Sequence, residues 1–166
     1  MQRHRIAALL LLPSIAACTP FTTGRARDDQ AATMQSEDPA LRQAMEKAQA
    51  TLDDFLTKAK QQPAGISGYA LKVRVQEGRD VEYFWVEEFT WSDGSFTGKI
   101  NNEPRVVRSV KPGQTYQFSR SQVADWKYRD DKVGKTFGNF TACALSSKEP
   151  AAQAAETQRR DGLDCS

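Results

Sequence analysis

The sequence is poor in the groups that most often carry acid–base and metal chemistry. It holds one histidine, His4, and three cysteines, Cys18, Cys143 and Cys165. His4 lies in an N-terminal stretch that reads as a removable export signal, so the mature chain is expected to have no histidine. That excludes Ser-His-Asp and Cys-His catalysis and any His-ligated zinc or iron site. Net charge is also scarce. The chain has 23 Lys and Arg against 21 Asp and Glu, and losing Arg3 and Arg5 with the signal leaves 21 of each sign. With no basic face and no Arg/Lys cluster interleaved with aromatics, nucleic-acid binding is not expected. Gly98, Gly113 and Gly138 are scattered turn or bulge glycines, with no following Lys-Ser/Thr to make a phosphate loop. The apolar run Ile6 to Leu12 is too short to span a bilayer. No internal repeat is visible.

What is present begins at the N terminus. Arg3 and Arg5 form a basic region, Ile6 to Leu12 an apolar one, and Ile15-Ala16-Ala17 leads with small residues into Cys18. This pattern resembles the lipobox of bacterial lipoproteins. The resemblance implies cleavage before Cys18, a diacylated thiol and an acylated new amino group, a far firmer anchor than one acyl chain gives. An ordinary signal peptide with a chance cysteine is the alternative. In lipoproteins of Gram-negative bacteria Asp after the cysteine favours inner-membrane retention. Thr19 stands there, so the implied location is the outer membrane, facing the periplasm. Residues 1–17 are thus read as a signal peptide, 18–37 as a flexible tether of roughly 25 Å, and 38–166 as a single α+β domain. Cys143 and Cys165 remain in an oxidising compartment. A disulfide between them would close a loop of about 22 residues and add about 3 kcal/mol; two separate thiols are the alternative.

Asp38-Pro39 marks a helix start, with Asp as cap and Pro in the first turn. Leu41, Met45, Ala48, Leu52, Phe55 and Ala59 then make one apolar stripe, and Pro63 and Gly65 end the helix. Ser67 to Glu77 alternates, with Tyr69, Leu71, Val73 and Val75 on one side and Lys72, Arg74 and Gln76 on the other: a half-exposed strand. A hairpin loop at Glu77 to Asp80 leads into Val81 to Trp91, the stretch richest in large apolar groups. Tyr83 and Trp85 oppose Phe84 and Val86, as in a central strand covered on both faces. Glu87-Glu88 interrupts the run, and a bulge or bend is expected there. Further short strands are predicted around Phe96 to Ile100, Val106 to Val110, Tyr116 to Phe118, and Thr136 to Leu145. Ser121 to Asp125 is read as one helical turn, and Pro150 to Arg160 as a helix stopped by Gly162. The expected fold class is α+β: an N-terminal amphipathic helix packed on an antiparallel meander of five to six short strands, with a C-terminal helix. Consecutive strands are expected to pair.

Several blocks resemble one bacterial family, the YegJ-like domain of unknown function. They are Val81 to Val86, then Phe96-Thr97-Gly98-Lys99-Ile100-Asn101-Asn102-Glu103-Pro104, Lys111 to Gln114, Ala124-Asp125-Trp126-Lys127-Tyr128, and Gly138 to Leu145. The resemblance spans residues 66 to 146. It implies a compact α+β domain, often exported, and no known activity.

The acidic candidates for chemistry are Glu82, Glu87, Glu88, Glu103 and Asp125, with Asn101, Asn102 and Asn139 beside them. Neighbours Glu87 and Glu88 face opposite ways on a regular strand, which argues against a catalytic pair. Asp125 reads more simply as a group that caps a turn or accepts backbone N–H bonds. The candidate binding surface is Trp85, Glu87, Trp91, Asn102, Asp125 and Trp126, with Trp91 the aromatic expected to escape the core. No catalytic residue, metal or cofactor is assigned. The first reading is a non-enzymatic lipoprotein, anchored in the envelope membrane, that binds an envelope protein or a cell-wall component; an immunity-type protein against a periplasmic toxin is a special case. The alternatives are a carboxylate-dependent cell-wall hydrolase and a structural spacer.

Overall fold

The computed structural model describes residues 38–166. The signal peptide, Cys18 and the tether lie outside the described residues. The chain runs α1 (Pro39–Ala50), α2 (Leu52–Gln61), β1 (Ile66–Glu77), β2 (Asp80–Ser92), β3 (Ser95–Ile100), β4 (Thr115–Ser119), β5 (Val123–Asp130), β6 (Lys135–Gly138), α3 (Phe140–Ser146) and α4 (Ala151–Asp161). The strands form one sheet in the order β4-β3-β2-β1-β5-β6, antiparallel throughout. This is the expected α+β class. One connection departs from the meander: β5 does not pair with β4 but crosses the sheet to lie beside β1.

Asp38 caps α1, its Oδ1 accepting the N–H groups of Ala40 (2.9 Å) and Leu41 (3.4 Å). The buried stripe runs through Leu41, Ala44, Ala48, Leu52, Phe55, Leu56 and Ala59. A single helix was expected, and Thr51 divides it in two. The indole Nε1 of Trp126 donates to Ala48 O (3.1 Å) and Thr51 Oγ1 (3.2 Å), and Thr51 Oγ1 donates to Lys47 O (2.7 Å). Side-chain donors that claim helix carbonyls bend the ladder at that turn.

Pairing Leu71 with Val86 and Val73 with Phe84 puts these four residues under the helices. The other parity carries Lys72, Arg74, Tyr83 and Trp85. Tyr83, Phe84, Trp85 and Val86 are all buried, as a central strand requires. Asp93 and Gly94, at φ 50° and 77°, make the two-residue turn from β2 to β3 that the twist of a hairpin favours. Rings link the layers: Phe118, Phe96, Trp91, Phe89, Phe55, Trp126 and Tyr128 follow one another at centroid distances of 5.0 to 6.4 Å.

Four local expectations are corrected. Val106 to Val110 is not a strand, because its N–H groups go to carboxylates instead of a ladder. Glu82 takes those of Arg105 (2.9 Å), Val106 (3.0 Å) and Val107 (3.1 Å), and Glu77 takes those of Arg108 and Ser109. Ser121 to Asp125 is not one helical turn: a 3-10 turn covers Arg120–Gln122 and β5 begins at Val123. The last strand stops at Gly138, where Gly138 and Asn139 turn the chain with φ of 76° and 50° into α3. Lys72, expected on an exposed face, is only 4% exposed, since Trp85 and Thr141 lie over it.

Candidate functional site

Two bulges face each other across the middle of the sheet. The β1–β2 ladder ends at Leu71 and Val86. Just beyond, the register of β1 against β5 slips by one residue between Ser67 and Ala70, where Gly68 has φ 62°. The register of β2 against β3 slips by one between Glu87 and Thr90, where Glu88 has φ 48°. A bulge bends its strand and sharpens its twist. Two bulges opposite one another turn the strands apart, so β1 continues with β5 alone and β2 with β3 alone. The sheet forks. The extra residue in β2 also moves Phe89 and Trp91 to the helix-covered face; without it they would share the face of Tyr83 and Trp85. Phe55 of α2 bridges the fork, with ring centroids 6.0 Å from Tyr69 and 5.9 Å from Phe89.

The fork opens two cavities that share Gly68 and Glu87 as walls. One, of about 310 Å³, is lined by Tyr69, Phe89, Trp91 and Glu88 and by the end of α2 at Ala59 and Gln62. The other, of about 390 Å³, reaches Lys127 and Arg129 of β5, Thr136 of β6, Asn139 before α3, and Asp161. Strand alternation puts Lys127 and Arg129 on the face opposite Trp126. Glu87 Oε1 accepts from the Asn101 amide (2.6 Å), and Glu88 is ion-paired with Lys99. Burial, with Tyr128 alongside, raises the pKa of the Tyr69 hydroxyl. Lys127 Nζ stands 4.2 Å from the centroid of the Trp85 ring, and Asn139 Oδ1 is buried without a hydrogen-bond partner among the described residues.

Of the residues singled out in the sequence, Trp91 and Glu87 meet at the fork. The other four lie elsewhere. Trp126 is core, stacked on Phe55 at 5.0 Å. Trp85 is buried beside the ammonium groups of Lys72 and Lys127, at 4.7 and 4.2 Å from its ring, and its Nε1 has no partner among the described residues. Asn102 serves the backbone: its Oδ1 accepts Trp85 N (2.8 Å), continuing the edge of the sheet past β3. Asp125 is fully buried. Its carboxylate accepts Trp126 N (2.8 Å), Thr141 N (2.7 Å) and Thr141 Oγ1 (2.7 Å), while Lys72 Nζ donates to that same Oγ1 (2.9 Å). Desolvation pushes the pKa of Asp125 up; the Lys72 charge and the bonds from Thr141 and Trp126 oppose it. Cys143 and Cys165 are joined, their Cα atoms 5.5 Å apart, tying the C-terminal tail to α3.

Asn139, one of the polar candidates read from the sequence, lines the second cavity, whereas Tyr69, Phe89 and Lys127 had no signal in the sequence that marked them as site residues. Gly68 did: a glycine inside an alternating strand marks a bulge or a close approach.

The chain belongs to the family described as "Uncharacterized protein conserved in bacteria (DUF2314)", which matches residues 38–165. It is similar to "Uncharacterized protein YegJ" of Escherichia coli strain K12, with 29% identity over 122 residues, 73% of this chain and 76% of that protein. No solved structure matches. Among the described residues no helix is long and apolar enough to cross a membrane.

Proposed function

We propose that the chain is an exported envelope lipoprotein, acylated at Cys18, whose domain is a non-enzymatic module that binds an envelope protein or a cell-wall component. The observation that carries this reading is the fork. It holds half-exposed aromatics beside carboxylates between two cavities with shared walls, whereas Asp125 and Glu82 are engaged inside the fold. The lipobox-like Ile15-Ala16-Ala17-Cys18 and the polar stretch that follows it support an anchored domain held off the bilayer.

Crosslinking in intact envelopes, followed by recovery of the chain, compares wild type with Trp91→Ala and Glu87→Lys once both are shown to fold. A specific partner held by wild type and lost by a folded variant is expected. No partner above background in any sample would sink the binding reading. Labelled palmitate should enter wild type and not Cys18→Ser; equal labelling would remove the anchor.

A further inference from the structure

We propose that the fork holds an extended basic segment of a partner protein, with one arginine or lysine side chain in the cavity formed by Tyr69, Phe89, Trp91, Glu87 and Glu88. This rests on the binding-module reading and names its ligand. The first argument is charge. That cavity is walled by three aromatic rings and two carboxylates, and among the described residues no cationic side chain lines it. Lys99 offsets Glu88 from the next strand, and Glu87 is bonded to the neutral amide of Asn101. A basic side chain fits such a place with its whole length: the stem packs on the rings and the head reaches the carboxylates.

The second argument is the backbone. Where the strands part, Ile66, Ser67 and Ala70 of β1 have ladder partners only in β5, and Thr90, Trp91 and Ser92 of β2 only in β3. Each leg therefore turns an unladdered edge towards the gap, which an extended chain can pair with. The third argument is alternation. Successive residues of a strand point to opposite faces, and the fork has a cavity on each side with Gly68 and Glu87 common to both. The residue beside the basic one enters the cavity at Lys127 and Asn139, whose lining of both charges suits a polar group.

The test uses the full-length chain in detergent and a labelled nine-residue peptide of alternating threonine and arginine. Its control has the same composition with the arginines in one block. The alternating peptide should bind about tenfold more tightly than the block, and lose about tenfold on Trp91→Ala and on Glu87→Gln with Glu88→Gln. Glu103→Gln, an exposed acid away from the fork, should leave binding unchanged. Amide exchange at Gly68 to Ala70 or Thr90 to Ser92 should slow in the complex. No binding, equal binding of the block peptide, or equal weakening by Glu103→Gln overturns the proposal. So does tighter peptide binding by Arg25→Ser with Arg27→Ser, which would make the chain's own tether the occupant. If the peptide fails while the envelope partner is still lost with Trp91→Ala, the ligand assignment falls and the binding module stands.

Discussion

At the scale of single residues, the two fully buried acids of this domain, Glu82 and Asp125, act as backbone acceptors. Glu82 is 2% exposed and closes three N–H groups of a segment that has no ladder of its own. Each buried donor left open costs about 1–3 kcal/mol, so Glu82→Ala should cost about 3 kcal/mol and speed amide exchange at residues 105–107. Unchanged protection there would contradict the bracket role. Asp125 differs because a buried cation depends on it. Asp125→Ala leaves the Thr141 N–H and hydroxyl and the Trp126 N–H without their acceptor and the Lys72 ammonium without its buried counter-charge, and should cost about 3–5 kcal/mol by denaturant titration. Its pH dependence has a definite sign. The folded pKa lies above the ordinary 3.8, so between the two values the folded state binds more protons than the unfolded state. Stability from this group is complete below 3.8 and is lost as pH rises through the folded value. Asp125→Asn removes that slope. The wild type should therefore lose ground to the Asn variant as pH is raised from 3.8, and a constant difference between them would refute the shift.

At the scale of elements, the fork depends on the group that bridges it. Phe55 is almost wholly buried and contacts rings on both legs and in β5. Phe55→Ala should cost about 3–5 kcal/mol in thermal or denaturant unfolding, and a loss under about 1 kcal/mol would mean that the legs hold apart without it. The turn from β6 into α3 is as constrained. A Cβ on Gly138 would stand 2.2 Å from Trp126 O at φ 76°, so Gly138→Ala should severely reduce the soluble yield. These elements also show what the sequence makes legible. The stripe in α1 and α2, the alternation in β1 and the break at Glu87-Glu88 are local periodicities, and each could be read. The Val106 segment has strand-like residues, but its N–H groups are claimed by Glu82, distant along the chain, and no local pattern reports that. Phe140 to Leu145 suits either strand or helix by composition; the left-handed pair Gly138-Asn139 decides for helix. Half of the fork was visible, as the interruption in β2. The matching bulge at Gly68 becomes meaningful only once β1 and β2 are known to be neighbours.

At the scale of the whole molecule, α4 and the tail are held to the rest by few devices. β6 is four residues long, α3 seven and α4 eleven, and α4 ends in a left-handed Gly162. Beyond it, Thr136 N donates to Gly162 O (2.7 Å) and Asp164 N to Thr136 O (2.9 Å), and the Cys143–Cys165 bond fixes the tail to α3. The bonded cysteines are 22 residues apart, which corresponds to about 3 kcal/mol of lost unfolded-chain entropy. For a domain of this size that is about 10 °C in Tm. The consequence is not uniform across the fold. The sheet centre and α1–α2 share one aromatic core, so they should unfold together with or without the disulfide. Reduction should instead lower the free energy of opening of α4 and the tail, where Ser146, Thr157 and Leu163 are the buried contacts. Amide exchange of oxidised and reduced protein at equal pH separates the cases. Faster exchange confined to residues 147–166, with β1 and β2 unchanged, is the expected result. Uniform acceleration across the sheet would mean that the tail is part of the central cooperative unit, and that the bond stabilises the fork itself.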